Sequence, residues 1–221
     1  MKIFIDSADV DAIKEAADTG LVDGVTTNPT YIAKSGKNFK KVVEEICKIV
    51  PGPVSAEAMA ETADGMIKEA VEIASIAPNV VVKIPMNIEG LKAVPVLEKQ
   101  KNVKTNVTMI FSSTQAFLAM KAGASLVSIV LSRLDAIANE SIVLVEDAVT
   151  IKQNYGYRSE VLAASMKTQN HVLECLRAGV DIVTIPTQLF FQMYRHTLTD
   201  TGLEAFRKDW EKVSGGGKPQ S

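Results

Sequence analysis

The sequence predicts an α/β protein, a single (β/α)8 TIM barrel with an extra C-terminal helix. Three observations predict it. Eight short runs rich in Val and Ile are almost continuously apolar, as strands buried on both faces of a parallel sheet are. Their centres fall roughly 20–35 residues apart, enough for one strand and one returning helix. Each run ends in, or closely precedes, a polar side chain, and a barrel builds its site at the C-terminal ends of its strands.

In chain order the expected strands are Ile3–Asp6, Gly24–Asn28, Val54–Ala58, Val80–Pro85, Lys104–Met109, Leu126–Leu131, Val161–Ser165 and Ile182–Pro186. Between them, Asp9–Asp18, Phe39–Val50, Thr62–Ala77, Ile88–Lys99, Ser112–Ala122, Ile142–Asn154 and His171–Ala178 place apolar residues three and four apart, the helical period. Ser7 is the expected N-cap of the first helix. Gly20, Pro51, Pro78, Gly123, Gly156 and Gly179 stand where several of these helices should stop. Thr199–Val213 reads as a further amphipathic helix carrying Trp210, so residues 1–213 are expected to form the catalytic domain and residues 214–221 a Gly-rich flexible tail. A doubly wound open sheet is the alternative, but eight strands would leave it two bare edges.

The bulk composition narrows the partners. With 24 basic and 26 acidic side chains in 221 residues the net charge is −2, and no basic stripe suits a nucleic acid. No apolar run is long enough for a membrane span. Residues 1–6 turn polar too soon for a secretory signal, so a cytoplasmic location is expected. Cys47 and Cys175 form no CxxC motif, and two His complete a poor set of metal ligands, so no metal is expected. A small-molecule substrate remains.

Strand side chains alternate, so Thr26 with Asn28, Ser55 with Glu57 and Asn106 with Thr108 form pairs that share a face. A barrel axis filled for stability alone would hold Val, Ile and Leu there. Lys83 lies inside Val80-Val81-Val82-Lys83-Ile84-Pro85. Burial disfavours an ammonium, and a neutral amine can attack a carbonyl; the other reading is a lysine that snorkels from the strand end to water. Asp6 and Glu57 suit proton relay to that amine, or a salt-bridged plug with it. Arg133 and Lys167 follow strands six and seven and could grip an anion, or stand as solvated loop charges. His171 reads as a cap or a ligand contact, His196 as a helix-end contact, and Tyr31, after Asn28-Pro29-Thr30, as a packing residue.

These residues carry a resemblance. Asp6, Gly24-Val25-Thr26-Thr27-Asn28-Pro29, Ser55-Ala56-Glu57, Val82-Lys83-Ile84-Pro85, Thr105-Asn106-Val107-Thr108 and Ala163-Ala164-Ser165 resemble the small transaldolases and fructose-6-phosphate aldolases, from Met1 to about Trp210. The resemblance implies that Lys83 forms the Schiff base, Asp6 moves the proton of the substrate hydroxyl, and Glu57 with Thr108 holds a catalytic water. It implies that Asn28, Asn106 and Ser128 bind a dihydroxyacetone unit, that Thr26 and Ser55 line the same site, and that Arg133, Ser165 and Lys167 take the terminal phosphate. It implies no cofactor, ketose and aldose substrates, and a homo-oligomer, a pentamer or a decamer. Glu57, where the aldolases carry Gln, and Val130, where they carry a Tyr, favour transfer of the three-carbon unit over release of free dihydroxyacetone. The run Ser128-Ile129-Val130-Leu131-Ser132-Arg133-Leu134-Asp135-Ala136 departs from the family's Ser-Pro-Phe-Val-Gly-Arg-Leu-Asp-Asp, and Lys167 replaces a frequent Arg. Both changes sit at the anion end, so a sulfonated ketose is a candidate beside a sugar phosphate, as in the sulfofructose transaldolases, which resemble this family. A lyase releasing dihydroxyacetone and a non-catalytic sugar-phosphate binder are the alternatives.

Overall fold

A computed structural model of the chain describes residues 1–36 and 38–213. The expected tail, 214–221, lies outside them. The elements run β1 (Lys2–Asp6), α1 (Val10–Ala17), β2 (Gly24–Thr26), α2 (Pro29–Ser35), α3 (Phe39–Ile49), β3 (Val54–Glu57), α4 (Ala63–Ala74), β4 (Val80–Pro85), α5 (Ile88–Gln100), β5 (Thr105–Ile110), α6 (Ser113–Ala122), β6 (Leu126–Val130), α7 (Leu131–Asp135), α8 (Ser141–Tyr155), β7 (Glu160–Ala164), α9 (Gln169–Ala178), β8 (Ile182–Ile185), α10 (Thr187–Met193) and α11 (Thr197–Val213). Eight parallel strands close in sequence order, β1 pairing with both β2 and β8. This is the predicted (β/α)8 barrel, and closure removes the edges an open sheet would have left.

Closure depends on what fills the axis. Phe4, Val81, Leu126, Leu162 and Ile182 pack into one buried cluster. Phe4 pairs in register with Gly24, and a Cβ at Gly24 would stand 2.6 Å from the Phe4 ring. The glycine therefore makes room for the one aromatic side chain of the plug. Outside the strands, the longer helices between them turn an apolar stripe inward. In α3, for example, Val42, Val43 and Ile46 are wholly buried, each contributing about 1.5–3 kcal/mol by leaving water.

The helix starts follow local capping chemistry. Asn28, Asn38, Thr62, Asn87, Ser112 and Thr168 each accept a hydrogen bond from a first-turn backbone N–H, which stabilises a helix by about 1 kcal/mol. The first helix corrects the expectation of Ser7 as its cap. Asp9 is the cap, accepting from Asp11 and Ala12, while Ser7 accepts from the Asp9 N–H. A carboxylate two residues nearer the helix wins over the hydroxyl. Two short helices also went unforeseen. Pro29 opens α2 where no helix was expected, and α7 begins at Leu131, where the sixth strand was expected to finish.

At the other end of the barrel, Glu98 ties α5 to two strands. Its Oε1 accepts from the Thr105 N–H (2.7 Å), the Thr105 hydroxyl (2.7 Å) and the Ser125 N–H (2.8 Å), and its Oε2 accepts from the Ser125 hydroxyl (3.0 Å). Glu98→Ala strips two backbone donors of their acceptor. We expect the unfolding free energy in urea to fall by about 2–3 kcal/mol. A loss below about 0.5 kcal/mol would mean that water replaces the carboxylate freely.

The chain divides into two compact units, Met1–Phe190 and a C-terminal unit from Phe191 onward. The second unit contains α11, in which no residue is buried and Leu198, Phe206 and Val213 are each more than 70% exposed. Among the described residues no helix is long and apolar enough to cross a membrane.

Candidate active site

A cavity of about 400 Å³ opens at the C-terminal ends of the strands. Of the twelve residues singled out from the sequence, ten line it: Asp6, Thr26, Asn28, Glu57, Lys83, Thr108, Ser128, Arg133, Ser165 and Lys167. Ser55 and Asn106 do not. They lie just beneath, wholly buried. The Ser128 hydroxyl donates to Asn106 Oδ1 (2.6 Å), and Asn106 Nδ2 donates to Ser55 Oγ (3.1 Å). A ligand in the cavity therefore meets Ser128, and the amide and second hydroxyl fix that hydroxyl from below. Alternation puts all three inside the barrel; the strand register decides their depth.

Lys83 settles the choice between burial and snorkelling. The residue is 8% exposed, and Nζ donates to the Thr27 carbonyl at 2.7 Å. Burial drives the Lys83 pKa down, against the opposing charges of Asp6 and Glu57. The hydrogen bond goes to a carbonyl rather than to a carboxylate, so the salt-bridged plug is not formed. A neutral amine can donate one hydrogen to Thr27 and keep its lone pair for a carbonyl carbon. Thr27 is fixed in turn, its hydroxyl donating to the Ser55 carbonyl at 2.8 Å.

Two carboxylates flank the amine. Glu57 pairs in register with Lys83 on the neighbouring strand. Burial raises the Glu57 pKa and the Lys83 charge lowers it. Asp6 Oδ1 accepts from Thr26 Oγ1 at 2.8 Å, and Thr26 Oγ1 lies 2.7 Å from Thr184 Oγ1. Asp6 Oδ2 accepts a long 3.5 Å hydrogen bond from the Tyr31 hydroxyl. Burial raises the Asp6 pKa most strongly, while Lys83, the two hydroxyls and Lys167 pull it back.

Tyr31, read from the sequence as packing, and Thr184, the polar residue of strand eight to which no role was given, both line the cavity. Asn28 spends Oδ1 on capping α2, accepting from the Tyr31 N–H at 2.9 Å. That cap starts the helix which carries the phenol to Asp6, where burial and then the Asp6 charge raise the phenol's pKa. The Asn-Pro pair before Tyr31 was the available signal, because both residues favour helix starts.

The rim holds the cations. The β5 register shifts between Val107 and Ile110, and Met109 takes φ 64°. Met109 Sδ accepts from Arg133 Nη1 at 3.8 Å. Ser165 also has positive φ, 61°, and its hydroxyl lies 2.6 Å from that of Ser132. Left-handed backbone at non-glycine residues costs about 1 kcal/mol or more and collects at working sites. Strands β6 and β7 supply an apolar part of the wall, with Val130, Leu162 and Ala164. A larger cavity, about 680 Å³, shares Asn28, Pro29 and Glu57 and carries Lys40 among its described lining residues. Among the described residues no group of three or more His, Cys, Asp or Glu stands together to hold a metal.

With the geometry in view, the comparisons with known proteins agree with one another. The family model described as transaldolase/fructose-6-phosphate aldolase matches residues 3–216. A probable transaldolase of Geobacter metallireducens is 53% identical over 213 residues, covering 96% of this chain and 99% of its own. Another from Caldicellulosiruptor saccharolyticus is 54% identical over 214 residues, covering 96% and 98%. Among solved structures, the thiamine phosphate pyrophosphorylase of Pyrococcus furiosus superposes with a TM-score of 0.59 at 15% identity, over 84% of this chain and 85% of that one. That likeness speaks for the fold alone. The chain belongs to the transaldolase/fructose-6-phosphate aldolase family, as an enzyme of the transaldolase type.

Proposed function

We propose that the enzyme moves a dihydroxyacetone unit from a ketose with an anionic tail to an aldose through a Schiff base on Lys83. The observation that carries this is the buried Lys83 amine, its pKa lowered by burial, in a cavity it shares with Asp6 and Glu57. The amine adds to the C2 carbonyl, and loss of water gives an iminium ion. Ionised Asp6 takes the proton of the C4 hydroxyl as the C3–C4 bond breaks. The bond's electron pair moves into the iminium, leaving an enamine on Lys83 and releasing an aldehyde. The enamine then attacks the carbonyl of a second aldehyde, such as glyceraldehyde 3-phosphate, and Asp6 returns the proton. Water between Glu57 and Thr108 adds to the new iminium and frees Lys83 and the product ketose.

The remaining roles follow from place. Asn28 and Ser128 bind the dihydroxyacetone hydroxyls, with Asn106 and Ser55 fixing Ser128 from beneath and Thr26 holding Asp6. Arg133, Ser165 and Lys167 receive the tail, a phosphate or a sulfonate, because two cations and a hydroxyl suit either anion. Glu57 favours transfer over release of free dihydroxyacetone. The exposed apolar side chains of α11 support a homo-oligomer in which a second copy covers them. The two free thiols, Cys47 and Cys175, suit a reducing cytoplasm.

Borohydride reduction in the presence of a panel of phosphorylated and sulfonated ketoses, followed by mass spectrometry, tests the proposal. We expect one dihydroxyacetone-sized adduct on Lys83 from the true donor. No adduct from any ketose would leave only a sugar-binding barrel. Dihydroxyacetone released at full rate without an acceptor aldehyde would favour the lyase.

A further inference from the structure

The rim residues that meet the anion come from two separate elements, α7 and the loop after β7. Arg133 belongs to α7; Ser165 and Lys167 belong to the loop. For a two-cation grip, the gap between these elements must be fixed before the substrate arrives. Two links span it. One is the 2.6 Å contact between the hydroxyls of Ser132, on α7, and Ser165. The other runs through His171, in the first turn of α9. The backbone N–H of Lys167 donates to His171 Nδ1 at 3.2 Å, and His171 Nε2 stands 3.6 Å from Asp135 Oδ2, the last residue of α7. Asp135 is held in its turn, since its Oδ1 accepts from the Ser141 N–H at 3.2 Å.

We propose that His171 is a positioning residue that latches the Lys167 backbone to α7 and so sets the spacing of the two anion-gripping cations. The latch rests on the reading of Arg133 and Lys167 as the anion site. Its chemistry is specific to an imidazole with two different nitrogens. Nδ1 must be bare to accept from Lys167, so Nε2 carries the proton and faces the Asp135 carboxylate. The carboxylate thereby selects the tautomer that the loop requires, as an acceptor beside a histidine does at many sites. The ring itself stays outside the cavity and touches no substrate. Its effect passes to the tail through the backbone of Lys167.

The two ring nitrogens can be replaced one at a time. The amide oxygen of Asn can take the place of Nδ1 and keep the bond from Lys167. The amide nitrogen of Gln can take the place of Nε2 and keep the contact with Asp135, leaving the Lys167 N–H without its acceptor. H171N and H171Q are compared with glyceraldehyde 3-phosphate and with unphosphorylated glyceraldehyde as acceptors. We expect H171Q to raise KM for the phosphorylated acceptor about fivefold, with kcat changed less than about twofold and KM for glyceraldehyde unchanged. H171N keeps the Lys167 bond but loses the contact with Asp135 on α7, so it breaks the same latch and should raise that KM to a similar extent, again with KM for glyceraldehyde unchanged. R133M and K167M run in the same series as controls for the anion site. If they raise KM for the phosphorylated acceptor while H171N and H171Q both stay within about twofold of the parent, the latch is overturned and the anion site stands. If R133M and K167M leave that KM unchanged, the anion reading falls and the latch with it.

Discussion

Replacing Lys83 by alanine abolishes both turnover and the borohydride-trapped adduct, while the barrel still folds. The expected loss in kcat is on the order of ten-thousandfold or more, because among the described residues Lys83 is the one buried amine of the cavity. Arg133 carries a guanidinium rather than a primary amine, and Lys167 is a primary amine at the rim of the cavity rather than a buried one. Lys83 combines burial with a pKa that burial pushes down. The fold should survive, since the strand carrying Lys83 keeps its full ladder to β3 and β5. Circular dichroism checks the fold, coupled assay checks turnover, and intact mass checks the adduct. Equal labelling of the Lys83→Ala protein would move the covalent site elsewhere and undo the mechanism.

Much of this was legible in the chain before any coordinates. The barrel announced itself because parallel strands buried on both faces leave uninterrupted Val and Ile runs, whereas the local sequence left Lys83 free to snorkel to water and its burial is what the structure adds. The resemblance then supplied roles that residue types alone leave open. What stayed hidden was short or depended on register. Helix α7 spans Leu131–Asp135 and has no side-chain cap hydrogen bond, so neither length nor capping could flag it. Tyr31 looked like packing because nothing local says that α2 points its phenol back at Asp6 across 25 residues of sequence. The depth of Ser55 and Asn106 required knowing how far each strand slides past its neighbour. A one-residue slip changes the layer a side chain occupies, and alternation cannot report it.

Asp6→Asn should move the two halves of the reaction in opposite directions. Asparagine keeps the shape of the side chain and can still accept from the Thr26 hydroxyl, which donates to Asp6 Oδ1 at 2.8 Å. It cannot take the C4 proton, so carbon–carbon cleavage should slow by about a hundredfold to ten-thousandfold. It also removes a negative charge that raises the Lys83 pKa. The Lys83 pKa must therefore fall further, so more of the amine is neutral at a given pH. Borohydride trapping should then reach its midpoint at a lower pH than in the parent enzyme. In the parent, the base form of Asp6 is lost as pH falls through a pKa that burial has raised. The acid limb of cleavage should thus lie above the ordinary carboxylate range, and this limb should vanish in Asp6→Asn. Stopped-flow cleavage and pH-resolved trapping measure the two halves separately. A trapping midpoint displaced to higher pH, or cleavage left intact, would show that Asp6 neither feels the amine nor handles the proton. A purely structural Asp6 would lower both activities together without moving either midpoint, which makes the opposed shifts the signature of a base placed beside its own nucleophile.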